Sequence, residues 1–184
     1  KGIHIMIMNG SGIVQIDGLE IVNGGRAAEL ARYPFHWHEA GNRSNDFIRN
    51  SSIHNSFNRC ITVHGTDNTT VEKNACYDID GSAYFIEDGD EVGNLFIDNI
   101  GVLINTVSPD KALLQFGDSY SYDNMFIAPA AFWISNPNNI FIGNAASSAG
   151  TGYWFALADD SHKDASMVAT EWTANAQNNN WPVH

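Results

Sequence analysis

Three histidines and two adjacent acidic residues are spaced in this sequence so that their side chains could form one chemical site. His36 and His38 flank one tryptophan, so their imidazoles would leave the same face of a β-strand. His64 ends a later segment of similar pattern, and Glu87 and Asp88 end the next one. If these segments are neighbouring strands about 4.8 Å apart, their side chains come within reach of one ion or one substrate.

A transition-metal site is the first chemistry that this set predicts. Neutral imidazole nitrogens at about 2.1 Å, completed by a carboxylate or water, form a common ligand shell for Zn²⁺ and related ions. Such an ion could activate water or polarise a substrate oxygen. Zn²⁺ or a similar divalent transition metal is the expected cofactor, with calcium as the other candidate. The predicted metal ligands are His36, His38, His64 and Glu87.

Metal-free chemistry remains open from the same residues. Glycoside hydrolysis uses two carboxyl groups, about 5 Å apart for retention or about 6.5–9.5 Å apart for inversion. Glu39, Glu87, Asp88 and Asp90 could supply such a pair. A lyase would instead need a base and a cation, as His64 could form with Arg59 or Arg32. The predicted catalytic residues are Glu87, Asp88, His64 and Arg59.

Aromatic and basic residues elsewhere predict contacts with a sugar polymer. Aromatic rings stack on the apolar faces of sugars, and an arginine can pair with a sugar carboxylate. Alternation along a strand requires about half of the aromatic residues to point into the core. The predicted substrate-binding residues are Arg32, Trp133, Tyr120 and Tyr122.

A repeat must position these side chains. Short β-rich runs end in asparagine at a spacing in the twenties, which is typical of a solenoid. We predict an all-β, right-handed, single-stranded parallel β-helix with coils of roughly 22–27 residues. The asparagines are expected at coil corners, in left-handed backbone geometry, with their amides bonded to the coils above and below. The alternative is a β-sandwich with asparagine-rich turns. The run-ending asparagines are Asn23, Asn50, Asn74, Asn99 and Asn144.

A second set of runs gives the register of the chemically interesting face. These runs cover residues 33–38, 59–64, 82–87, 130–135 and 152–157. Two rows are expected to fill the coil interior: Phe35, Ile61, Tyr84 and Phe132, and then Trp37, Val63, Ile86 and Ile134. Two rows are expected on the external face: His36, Thr62, Phe85 and Trp133, and then His38, His64, Glu87 and Ser135.

Length and composition limit the organisation and the partners. We predict one β-helix domain over residues 1–184, cut from a longer protein, with an insertion at 101–129 and an irregular or capping tail at 158–184. The formal charge of −12 disfavours a nucleic acid or an anionic membrane as partner. The two cysteines, Cys60 and Cys76, fall at different points of the repeat, which argues against their pairing.

Three motifs carry a resemblance to a known family. Residues 33–38, residues 56–60 with His64, and residues 85–89 resemble the β-helix region of G8-domain proteins. That group includes fibrocystin, fibrocystin-like receptors, the cell-migration-inducing hyaluronan-binding protein and its transmembrane hyaluronidase relative. The resemblance implies a right-handed parallel β-helix, an extracellular or cell-surface location and an upstream G8 domain. In two members it also implies binding and depolymerisation of hyaluronan.

The residues and the resemblance together predict a β-helix that binds an extracellular polysaccharide and cleaves it. The enzyme would be a glycoside hydrolase or a lyase, and its substrate a hyaluronan-like glycan. No contact of this segment with nucleic acid or membrane is expected. The alternatives are a glycan-binding or adhesion module without catalysis, and a structural stalk.

Overall fold

Sixteen short strands make up the computed structural model, which describes residues 2–108, 110–111 and 129–156. Strands and turns account for these ranges, and no helix in them could span a membrane. The strands are β1 (Ile5–Met8), β2 (Gln15–Asp17), β3 (Glu20–Val22), β4 (Phe35–Asn42), β5 (Phe47–Arg49), β6 (Ser52–Ser56), β7 (Ile61–Asp67), β8 (Thr70–Glu72), β9 (Ala75–Asp80), β10 (Tyr84–Ile86), β11 (Leu95–Ile97), β12 (Ile100–Asn105), β13 (Ala130–Ile134), β14 (Ile140–Ile142), β15 (Ala145–Ser147) and β16 (Thr151–Phe155).

Three parallel sheets wrap around one interior, as a parallel β-helix requires. The first sheet has the order β1-β4-β7-β10-β13-β16, and the second has the order β14-β11-β8-β5-β2. The third sheet has the order β15-β12-β9-β6-β3. Among the described residues, each full coil contributes one strand to each sheet, and each inner strand pairs with its equivalents one coil before and after. The predicted fold class is therefore confirmed.

The predicted register of the first sheet is also correct. Phe35 pairs with Ile61, Ile61 with Tyr84, and Tyr84 with Phe132. All four side chains are buried. The rings of Tyr84 and Phe132 stack with centroids 4.7 Å apart, which matches the spacing of strands in a sheet. Coil stacking thus aligns like residues and fills the core with continuous rows.

The asparagine ladder exists, but it contains only three of the five predicted asparagines. Equivalent positions recur 32, 23, 25 and 45 residues apart, from Leu19 through Ser51, Asn74 and Asn99 to Asn144. Oδ1 of Asn99 accepts the backbone N–H of Asn74 at 3.0 Å, and Nδ2 of Asn99 donates to the carbonyl of Val71 at 2.8 Å. Each buried amide therefore joins two coils.

Two details of the predicted asparagine row are wrong. Asn23 and Asn50 have the predicted left-handed backbone, but the three asparagines of the ladder do not. The left-handed residue comes one position before the ladder, where Asn50 shares its row with Lys73 and Asp98. Asn23 follows β3, in the third sheet rather than the second, so its distance from Asn50 is not a repeat length. The third sheet escaped prediction because some of its strands, such as β6 and β15, carry few large apolar residues.

The predicted insertion overlaps a regular strand at its start. β12 covers Ile100–Asn105 and pairs with β9 and β15, so residues 101–105 belong to the third sheet. Residues 112–128 lie outside the described residues. The predicted tail, 158–184, lies outside them as well.

A disulfide bond joins Cys60 and Cys76, against the expectation that they do not pair. Cys60 precedes β7 in the first sheet, and Cys76 lies in β9 of the third sheet, in the same coil. Two sheets of one coil face each other across the interior, and both cysteines are fully buried there. Their positions at different points of the repeat therefore bring the two thiols together. The bond fits an oxidising compartment.

Replacement of Asn99 by alanine should destabilise the fold by about 2–4 kcal/mol, because it leaves the buried N–H of Asn74 and carbonyl of Val71 without partners. Urea unfolding followed by circular dichroism measures this loss. Asn9→Ala, at an exposed turn, is the control and should change little. A change at Asn99 below about 0.5 kcal/mol would contradict a stabilising role for the ladder.

Candidate metal centre

The two predicted outward rows are present, but the face that carries them is covered. His36 pairs with Thr62, and His38 pairs with His64. Yet His36 and Thr62 are 0% exposed and Glu87 is 5% exposed. The expectation of an external face is wrong here because residues 26–34, which connect β3 to β4, contact it through hydrogen bonds to His36 and Glu87. The histidines therefore occupy a sheltered cluster rather than an open surface.

Ring nitrogens and one carboxylate oxygen converge within that cluster. One nitrogen from each of His36, His38 and His64 lies within 4.8 Å of the other two. Nδ1 of His38 is 2.9 Å from Nδ1 of His64. Oε2 of Glu87 is 3.8 Å from both Nε2 of His36 and Nδ1 of His64. The four predicted metal ligands thus come together on three successive coils.

The outward-facing atoms of the cluster are held by partners of their own. Nδ1 of His36 faces the carbonyl of Ala31 at 3.4 Å, and Nε2 of His64 donates to Oδ2 of Asp88 at 2.7 Å. A carbonyl or carboxylate on the second nitrogen is the arrangement that orients a metal-binding imidazole. It leaves Nε2 of His36 and Nδ1 of His64 directed at the centre.

Tyr33 holds the carboxylate of Glu87, a role that sequence reasoning missed. Its hydroxyl donates to Oε1 of Glu87 at 3.0 Å, and its side chain is fully buried. Oε2 of Glu87 and Nε2 of His36 are buried without a hydrogen-bond partner among the described residues. Two unpartnered buried polar atoms that face each other are costly, and they mark where a ligand would be stabilised. The Tyr33-Pro34 pair was visible in the sequence, but the contact spans 54 residues.

Electrostatics differ among the three imidazoles. Burial, followed by the neighbouring His38 and His64, lowers the pKa of His36 to about 2, so this ring is neutral with a lone pair. Burial and His64 also lower the pKa of His38. Burial opposes protonation of His64, but the hydrogen bond to Asp88 and the charge of Glu87 outweigh it and raise its pKa to about 9. Burial raises the pKa of Glu87, against the opposing effects of His64 and Arg59.

Arg59, predicted to be catalytic, lies beside the cluster but packs against aromatic rings. Its guanidinium carbon is 3.4 Å from the ring centroid of Phe85 and 5.5 Å from that of Tyr33. The side chain is 1% exposed. A buried guanidinium at this position favours the ionised form of Glu87, as its contribution to the carboxyl pKa indicates.

The remaining predicted acids divide into two groups. Asp88 contacts His64, whereas Asp90 and Glu39 are exposed. Glu91, which sequence reasoning did not select, is buried and accepts the backbone N–H groups of Gly65, Asp88 and Gly89. Its carboxylate therefore holds the turn that carries Asp88.

The predicted substrate-binding residues are only partly placed. Trp133 is 4% exposed and stacks between Phe85 and Trp154, with centroids 5.5 and 6.5 Å away, so it presents no free face to a sugar. Arg32 is half-buried and forms no ion pair with a described carboxylate, and its charge disfavours protonation of His38, lowering the pKa of that ring. Tyr120 and Tyr122 lie outside the described residues.

Three residues with left-handed backbone lie near the cluster. Ala31, Glu39 and Arg59 have positive φ angles of 61°, 46° and 52°. Such conformations cost on the order of 1–3 kcal/mol for residues with a side chain, and they persist where surrounding contacts impose them. Here they direct the carbonyl of Ala31 to His36 and the side chain of Arg59 onto Phe85.

Comparison with known proteins identifies the family. A model of the CEMIP beta-helix matches residues 1–183. The chain belongs to the CEMIP beta-helix family.

Relatives of this CEMIP beta-helix are much longer proteins. Communication mutant protein F of Dictyostelium discoideum is 38% identical over 160 residues, which is 84% of this chain and 14% of that protein. Fibrocystin-L of Mus musculus is 39% identical over 148 residues, covering 79% of this chain and 3% of the relative. A G8 domain-containing protein of Dictyostelium discoideum is 32% identical over 180 residues, 93% of this chain and 13% of its own length.

Glu91 should make the stability of the fold depend on pH. Burial raises the pKa of Glu91 to about 7, from an ordinary value of 4.5. Three backbone N–H groups act to lower this pKa, and the charge of nearby Asp90 acts to raise it. The folded state therefore binds the proton more tightly, and the free energy of unfolding should fall by on the order of 2 kcal/mol as pH rises from about 4.5 to about 7. Unfolding at several pH values measures this slope.

Glu91→Gln should reduce that slope, because the amide does not titrate. It should also lower the free energy of unfolding, since its NH₂ group cannot accept the N–H of Gly89. Exposed Glu29→Gln is the control and should retain the wild-type slope. An unchanged slope in Glu91→Gln would refute the assignment.

Proposed function

We propose that this chain binds an extracellular polysaccharide and cleaves it at a metal centre formed by His36, His38, His64 and Glu87. The observation that carries the proposal is the convergence of four ligand atoms from three coils, with two of them buried and unpartnered among the described residues. Three imidazoles and a carboxylate suit a divalent transition metal better than Mg²⁺ or Ca²⁺, which prefer oxygen ligands.

The proposal that the substrate is a polysaccharide is based on the resemblance to G8-domain proteins. The motifs at residues 33–38 and 85–89 resemble those of G8-domain proteins, two of which act on hyaluronan, and a hyaluronan-like glycan is the proposed substrate. The extracellular location is favoured by the disulfide bond between Cys60 and Cys76.

Each residue has a proposed part in the chemistry. A bound dication would polarise a glycosidic oxygen or lower the pKa of a bound water. His38 and His64 are half-buried, so substrate would approach from their side, whereas His36 and Glu87 lie at the buried end. Asp88 orients His64, and Tyr33 orients Glu87. Arg59 favours the anionic form of Glu87.

A second candidate is a glycan-binding or adhesion module with a structural metal. The burial of His36 and Glu87 favours it, because a structural site closes its coordination shell whereas a catalytic site keeps one position open. Both candidates require the ion, and only the first requires turnover.

Metal analysis of the protein after exposure to Zn²⁺ and gel filtration should find about one ion per chain. His36→Ala and His38→Ala should abolish retention, and chelation should lower the wild-type melting temperature. His54→Ala is the matched control, because His54 lies on the third sheet and contacts Glu20 and Asn55 instead. Equal metal content in wild type and His36→Ala would refute the centre.

Turnover separates the two candidates. Incubation with hyaluronan, followed by size analysis of the polymer, should show shorter chains with wild type. His64→Ala should stop cleavage, because it removes a metal ligand and the partner of Asp88. Binding of the polymer should persist in this variant. Metal-loaded wild type that binds the polymer without shortening it would favour the second candidate.

Tyr33→Phe should weaken Zn²⁺ binding by about 10–100-fold, because the carboxylate of Glu87 loses its orienting hydroxyl. Tyr84→Phe is the control: it also removes a buried hydroxyl, but one bonded to the carbonyl of Asn74 inside the coil. It should lower stability and leave metal affinity unchanged. Equal metal affinity in the two variants would contradict the positioning role of Tyr33.

A further inference from the structure

The two outward rows of the metal centre continue onto β1, where both positions are methionine. β1 pairs with β4 in parallel, with Met6 opposite His36 and Met8 opposite His38. Neighbouring strands lie about 4.8 Å apart, so each methionine is the adjacent member of a histidine row. One row therefore begins with Met6 and His36, and the other with Met8, His38 and His64.

The orientation of these methionines follows from the residues between them. Ile7 is 4% exposed within the hydrophobic core, and Ile5 packs against the same core. Successive side chains of a strand point to opposite faces. Met6 and Met8 therefore leave β1 on the side from which His36 and His38 leave β4. Met8 is 50% exposed, so its thioether is accessible to an ion.

The chemistry of a thioether differs from that of the other ligands. Its sulfur is soft and polarisable, and it cannot be protonated in water. Soft sulfur ligands select Cu(I), whereas imidazole suits zinc, copper and iron alike. Methionine positions next to the histidine rows therefore allow the site to discriminate between copper and the other metals, which the three imidazoles alone do not.

We propose that the centre is a copper site, in which Met6 and Met8 provide soft sulfur ligands beside His36 and His38 and stabilise Cu(I). The proposal deepens the function proposed above and rests on the existence of that metal centre. It concerns the identity of the ion and requires no further chemical step. Cu(II) alone would not be diagnostic, because most nitrogen sites bind Cu(II) more tightly than Zn(II). Dependence of Cu(I) binding on the methionines is the distinguishing property.

The test measures Cu(I) affinity of the whole chain anaerobically, by competition with a colorimetric chelator, and Zn(II) affinity in parallel. The double variant Met6→Leu/Met8→Leu nearly conserves side-chain volume, and Met8→Leu alone changes a half-exposed site. Cu(I) affinity should fall by about tenfold or more in the double variant. Zn(II) affinity should stay within about twofold, which also reports an intact histidine cluster. Ile13→Val, at an exposed residue outside the strands, is the control.

The outcomes separate this inference from the proposed function. If Zn(II) binds and Cu(I) affinity does not depend on the methionines, the copper assignment is wrong and the metal centre stands. An equal fall in both affinities would mean that the methionines act through packing, and would also overturn the assignment. If wild type binds neither ion, the metal centre itself is refuted.

Discussion

In-register stacking of parallel coils is the constraint on which this molecule depends. Because each coil repeats the backbone path of the last, a side chain meets its equivalent about 4.8 Å away. Asn74 and Asn99 use that spacing to bond coil to coil, and Tyr84 and Phe132 use it to stack in the interior. The same spacing joins His38 to His64. Residues far apart in sequence are thus brought side by side by the stacking itself.

Burial of the cluster's polar atoms without partners costs free energy that a bound ion would offset. His36 and Glu87 are buried on a face that residues 26–34 cover, and burial disfavours both of their charged forms. Tyr33 satisfies one carboxylate oxygen, while Oε2 of Glu87 and Nε2 of His36 have no hydrogen-bond partner within the described part of the chain. These two atoms lie 3.8 Å apart, so an ion between them would satisfy both, which supports the proposed metal centre.

The first sheet and its rows could be predicted from the sequence, because polar and apolar residues alternate strictly at His36-Trp37-His38. The same alternation recurs in the later runs of that sheet. The sequence did not predict the third sheet, because strands such as β6 and β15 carry few large apolar residues. It also did not predict the pairing of Cys60 with Cys76, which depends on how the coil closes. It also missed Tyr33 as the partner of Glu87, since that contact exists only once residues 26–34 lie against the sheet. Local pattern thus predicts rows, whereas contacts across or outside the coil require the closed structure.

The most direct test of the central claim is a crystal structure of the metal-loaded protein, with anomalous diffraction measured on both sides of the absorption edges of zinc and copper. Such a structure should show one anomalous peak at about 2.1 Å from nitrogen atoms of His36, His38 and His64, with Glu87 turned toward it. Density for water alone among these residues, with no anomalous signal at either edge, would contradict it.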